Sequence, residues 1–244
     1  MVLAKNGMVA TSHPLAAQVG LQILQDGGNA VDAAIAVNAM LGLVEPMSCG
    51  IGGDLFVIHW DAKTQKLYGL NASGRSPFSL NRDVFREKKL DQIPIDGPLS
   101  WSVPGCVDGW SVLQERFGKQ DFKTVLAPAI HYGKEGVPVP EVIASYWKGG
   151  EKAFEKWPDS ADTYLIDGKA PRFGEVFKNP RLAATYQTLA DKGRDAFYKG
   201  AIAEEIVKFS EAHGGYFQRK DLEEHTSTWV EPVSTNYRGY EVYE

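Results

Sequence analysis

Residues 27–77 read GGNAVDAAIAVNAMLGLVEPMSCGIGGDLFVIHWDAKTQKLYGLNASGRSP, and the rest of the chain is organised around them. Gly27-Gly28 ends one helix, and Asn29 is placed to cap the next, which runs through Ala30-Val31-Asp32-Ala33-Ala34-Ile35-Ala36-Val37. Small residues fall on more than one face of that helix, as a helix packed closely on several sides requires. Glu45-Pro46 stops it. After the glycine-rich turn Gly50-Ile51-Gly52-Gly53, residues 55–60 (LFVIHW) form a continuous apolar run, which predicts a strand covered on both faces. Residues 61–65 make a turn, 66–71 return as the antiparallel partner, and 72–77 leave the sheet on a loop that carries Arg75.

Outward from this stretch the pattern is mostly helical. Ser12 is the expected cap of a first helix that Pro14 begins, with Leu15, Val19, Ile23 and Leu24 on one face. Residues 93–109 are rich in Pro and Gly and read as a structured loop. Helical periods follow at 107–117, 122–135 and 141–147, while 148–173 has no clear period. Asn179-Pro180 opens a helix that Gly193 ends, and Ile202, Ile206 and Phe209 mark another, stopped by Gly214-Gly215. Residues 228–233 and 237–243 alternate like a hairpin turning across Asn236. The alternation runs to Glu244 without a polar tail, so the expectation is a sheet left incomplete within these residues. One domain over 1–244 is expected, since no linker divides the chain.

At 244 residues with 43% hydrophobic and 23% charged content, the chain has the composition of a globular protein with a sizeable core. A net charge of -5 and no basic cluster argue against a nucleic-acid partner. No stretch approaches the roughly 18–20 uncharged apolar residues of a membrane span. The opening MVLAKNGMVA has no apolar core of a secretory leader, and Cys49 and Cys106 suggest no disulfide framework, so a cytoplasmic location is expected.

The glycine turn lies between a helix and a strand, the reverse of the order in a dinucleotide fingerprint, and no lysine follows as in a P-loop. Nucleotide binding therefore loses. Tight backbone packing is the favoured role of these glycines, with pocket lining second. The five histidines lack metal-ligand spacing, and no metal or other cofactor is expected. Asp32, on a buried helix, needs a hydrogen-bonding partner, and a structural one is favoured. Arg75, after Gly74 and among small neighbours, suits a bidentate pair with a substrate carboxylate or an ion pair with a nearby Asp; the sequence leaves both open. No Ser-His-Asp or Cys-His arrangement assembles from spacing, and Thr226-Ser227-Thr228 reads as an ordinary turn before a strand.

Several stretches, in order, resemble the gamma-glutamyltranspeptidase family on the large-subunit side of its precursor. They are Gly7-Met8-Val9-Ala10 with His13-Pro14-Leu15-Ala16, residues 27–46, SCGIGGDLFVIHWD (48–61), VPGCVDGW (103–110), LQERFG (113–118), LAPAIHYGKEGVPV (126–139), GRDAFYKGAIAEEIV (193–207), GGYFQRKDLEEH (214–225) and YRGYEVYE (237–244). The resemblance implies an α+β fold, the αββα four-layer sandwich of the N-terminal nucleophile hydrolases, present here only in part. It implies a precursor that cleaves itself, freeing an N-terminal threonine in a small subunit that lies outside these residues. The partners it implies are a small-molecule amide substrate and that self-cleaved small subunit; a homo-oligomer of such heterodimers is compatible with it.

One departure bears on substrate recognition. The transpeptidases carry an Arg-Glu-Thr run before Ala-Pro, and that arginine holds the glutamyl α-carboxylate. Counting back from Pro77, its position falls on Ser73, and Arg75 stands two residues later. Arg75 and Ser73 are therefore the expected substrate-contacting residues, with Gly52 and Gly53 forming the adjacent turn. The Gly-Arg-Ser-Pro form resembles a cytosolic side branch whose acyl group is γ-glutamyl or a related one. A non-catalytic relative that binds a small carboxylate or amide is the alternative.

Overall fold

The computed structural model describes residues 2–244. Helices α1 (Pro14–Gln25) and α2 (Ala30–Val44) lead into strands β1 (Leu55–Asp61) and β2 (Lys66–Ala72). Next come α3 (Arg82–Glu87), α4 (Cys106–Phe117), α5 (Phe122–Glu135), β3 (Val137–Pro138), α6 (Glu141–Gly150), α7 (Ala153–Lys156), α8 (Pro158–Tyr164) and β4 (Val176–Phe177). Helices α9 (Pro180–Lys192), α10 (Asp195–Tyr198), α11 (Ala201–Ala212) and α12 (Arg219–Glu223) precede β5 (Thr228–Val230), β6 (Ser234–Tyr237) and β7 (Tyr240–Tyr243). The chain divides into two compact units, one formed by residues up to 50 with 116–193, the other by 51–115 with 194–244.

In the first unit α2 is the buried axis: Ile35, Ala36, Ala39, Met40 and Leu43 are almost fully enclosed. It packs on α1 and α5, and α5 packs on α9. Small residues set that spacing. A Cβ on Gly42 would stand 2.9 Å from the Tyr186 hydroxyl, which itself donates to the Ala39 carbonyl at 3.0 Å. Asp32 is structural, as expected. One carboxylate oxygen accepts the Asn29 N–H at 2.8 Å to complete a capping box, and the other accepts those of Lys119 (2.9 Å) and Gln120 (3.1 Å). The cap of α1 differs from expectation: the His13 ring, not Ser12, accepts from Leu15 N.

In the second unit β1, β2 and β5 form an antiparallel sheet in that order, with Val57 opposite Leu70 and Leu70 opposite Trp229. Two expectations are corrected here. Strand β1 is not covered on both faces: Leu55 and Val57 are half-buried, while Phe56, Ile58 and Trp60 are 66, 48 and 53% exposed. The terminal hairpin does not turn at Asn236. Thr228–Val230 joins β2, and the hairpin is β6–β7, with Tyr237 paired to Tyr240 across Arg238-Gly239. Those two residues take positive φ (53° and 87°), the two-residue turn whose twist matches the strands. Pro232, with no N–H to give a ladder, separates β5 from β6.

Candidate substrate-binding site

The site grows from two loops of the second unit lying against each other. The Gly53 carbonyl accepts the N–H groups of Gly105 (3.0 Å) and Cys106 (2.9 Å), satisfying donors at the start of α4. The Asp54 carboxylate accepts from Gly74 N at 2.8 Å, and the Arg75 carbonyl accepts from Val103 N at 2.9 Å. Glycine is obligatory at this crossing: a Cβ on Gly74 would lie 1.9 Å from the Val103 oxygen, and one on Gly105 1.9 Å from the Ala72 oxygen. The favoured packing role fails for Gly50 and Gly52, where a Cβ would meet nothing within 4 Å. The close backbone approach lies at Gly74 and Gly105 instead.

Ser73 is half-buried, and its N–H donates to the Asn71 side chain at 2.9 Å. Arg75 is exposed, and its guanidinium donates to the Glu224 carbonyl at 2.7 Å. Among the described residues no carboxylate forms an ion pair with it. The guanidinium is thus held by a backbone carbonyl and not by an ion pair. A cleft of about 740 Å³, lined by Ser76, Arg82, Phe85, Leu99, Trp101 and Ser102, begins at Ser76; neither Ser73 nor Arg75 lines it.

A buried polar network, unseen in the sequence, holds the segment that Arg75 touches. Asp108, in the first turn of α4, accepts the Arg194 Nε–H on one carboxylate oxygen and both the N–H (2.6 Å) and hydroxyl of Ser227 on the other. Arg194 also donates to the His225 carbonyl, and its guanidinium lies 4.5 Å from the centre of the Tyr198 ring. The Tyr198 hydroxyl accepts from Asp108 N (2.9 Å) and donates to the Pro104 carbonyl (2.8 Å); burial pushes its pKa up. His225 stacks on the same ring at 5.4 Å, is 1% exposed, and has no protein partner on either ring nitrogen. Burial holds its imidazole below the ordinary histidine pKa, with Asp108 opposing and Arg75 reinforcing that shift.

Of the other residues singled out, Asp61 caps its own turn through Thr64 and Lys63, and His59 faces Tyr68 across the sheet. Ser227 belongs to the buried network and not to an ordinary turn. Asp108, Arg194, Glu224 and His225 were missed; the available signal was a carboxylate inside the apolar run VPGCVDGW, which demanded a partner. Among the described residues, no cluster of three or more His, Cys, Asp or Glu side chains is placed to hold a metal, and no helix is long and apolar enough to cross a membrane.

The fold is the α+β type of the N-terminal nucleophile hydrolases. Residues 16–244 match the family model described as gamma-glutamyltranspeptidase, and the chain belongs to that family. It is 39% identical over 246 residues to the glutathione hydrolase-like YwrD proenzyme of Bacillus subtilis, covering all of this chain and 46% of that protein. The cephalosporin acylase of Bacillus halodurans superposes with a TM-score of 0.95 at 43% identity, over 99% of this chain and 46% of that one. Helicobacter pylori gamma-glutamyltranspeptidase superposes at 0.94 with 29% identity, over 100% of this chain and 70% of the other. The chain thus spans about half the length of the curated relatives it matches, on the large-subunit side.

Proposed function

We propose that this chain is the large-subunit portion of a self-processing amidohydrolase and acyltransferase that takes a γ-glutamyl or closely related acyl amide. The observation that carries the reading is Arg75, exposed on its loop and held by the Glu224 carbonyl, with no carboxylate paired to it. Its guanidinium is suited to a substrate carboxylate, and Ser73, two residues earlier on the same loop, is the neighbouring contact. The proenzyme relatives support a precursor cut into two subunits.

In this reading the hydroxyl of the small subunit's N-terminal threonine attacks the amide carbon. The threonine's own amine takes the hydroxyl proton and delivers it to the departing amine, leaving an acyl ester. Water or an amino acceptor then attacks that ester, and the threonine oxygen leaves with a proton returned through the same amine. The large subunit's part is to fix the acyl group by its carboxylate, so that the scissile carbon meets the nucleophile in a productive pose.

The test begins with intact mass of the protein expressed from its complete gene and N-terminal sequencing of any second chain. Two chains, the smaller starting with threonine, are expected; one uncleaved chain points to the non-catalytic relative that binds a small carboxylate or amide. On the cleaved protein, Arg75→Ala should raise KM for γ-glutamyl-p-nitroanilide about tenfold or more, kcat changing little and self-cleavage remaining complete. Unchanged kinetics would remove Arg75 from the site.

A further inference from the structure

Arg75 is a long side chain on an exposed loop, and such a side chain recognises a carboxylate well only when its fork is held in one orientation. The holding group is the Glu224 carbonyl. Glu224 follows α12, and the next peptide carbonyl, that of His225, accepts from Arg194. Two residues on, Ser227 is fastened to Asp108 by both its N–H and its hydroxyl. The segment is therefore pinned at His225 and at Ser227 by one ion pair, Arg194 and Asp108, whose side chains are 20% and 3% exposed. Each nitrogen of the Arg194 fork has a partner: Nε on Asp108, one terminal nitrogen on the His225 carbonyl, the other on Asp195 at 3.2 Å. Asp108 is held in turn at the α4 N-terminus, where its N–H donates to Tyr198.

We propose that Arg194 and Asp108 are positioning residues for substrate recognition: by fixing the 224–227 segment they aim the Arg75 guanidinium, and so set the affinity for the carboxylate of the acyl donor. The proposal rests on the reading of Arg75 given above. It assigns specificity to a pair that acts through the 225–227 backbone and not by touching the substrate.

The discriminating experiment uses the cleaved full-length protein and two donors, γ-glutamyl-p-nitroanilide and 4-aminobutyryl-p-nitroanilide, which lacks only the α-carboxylate. Arg194→Lys keeps the charge but cannot reach Asp108 and the His225 carbonyl together. It should raise KM for the first donor about tenfold with kcat nearly constant, and leave the second donor unaffected. Combined with Arg75→Ala it should add almost nothing, because both act on one interaction. Should Arg194→Lys prove misfolded by circular dichroism, Ser227→Ala removes one hydroxyl bond and should give the same pattern at about two- to fivefold. If Arg75→Ala abolishes discrimination between the donors while Arg194→Lys and Ser227→Ala do not, or if their effects multiply with that of Arg75→Ala, the positioning role is overturned and the site reading survives. If Arg75→Ala itself leaves discrimination intact, or the wild-type protein turns over neither donor, the site reading falls and this assignment with it.

Discussion

Within the second unit Arg86, Arg194 and Arg219 each pair with a carboxylate, whereas Arg75 is held by a backbone oxygen. His225 is the other residue whose environment has a measurable consequence. Its imidazole is buried among Asp108, Asp54, Arg75 and Arg194, and burial keeps it neutral. Because its pKa is lower folded than unfolded, the unfolded chain binds the proton first as pH falls below the free value of about 6.5. Stability is therefore whole above that pH and is lost as pH drops toward the folded pKa. His13, also lowered by burial, acts in the same sense. Thermal melts between pH 7.5 and 5 should show a falling Tm, and His225→Leu should flatten part of that slope. A slope unchanged in His225→Leu would mean that His225 does not contribute to it. At pH 7.5 the same substitution should cost little, since no protein hydrogen bond of the ring is lost.

Elements with strong local determinants were legible in the sequence. The capped start of α2, the whole of α5, and α9 between Asn179-Pro180 and Gly193 lie where caps and periods put them. What was not legible depends on distant pairing. Nothing near Thr228 in sequence says that it will lie opposite Asn71, and the favoured hairpin followed local alternation instead. The Asp108–Arg194 pair is separated by 86 residues, and the crossing of Gly74 over Val103 is a tertiary event. Arg75 and Ser73 could thus be picked out as candidates from the sequence, whereas the contacts that hold their loop and the 225–227 segment could not. Helix spacing gives a prediction at this scale. Gly42→Ala should destabilise by about 1–3 kcal/mol, because the new methyl meets the Tyr186 hydroxyl. In a Tyr186→Phe background, itself about 1 kcal/mol less stable, the penalty should shrink. Denaturant unfolding of the four proteins in the cycle measures it; strict additivity would mean that the helices separate without feeling the hydroxyl.

At the scale of the second unit, Phe56, Ile58 and Trp60 on β1, with Val230 on β5 (43% exposed) across the sheet, form an apolar face that the described residues leave open. Soluble chains seldom display a contiguous surface of this kind unless something meets it. The consequence is calorimetric. These side chains are already hydrated in the folded state, so unfolding adds little to the water structured around them. These side chains therefore add little to the heat-capacity increment of unfolding. Conversely, whatever covers the face will announce itself in titration calorimetry by a negative heat-capacity change on association, whatever its sequence.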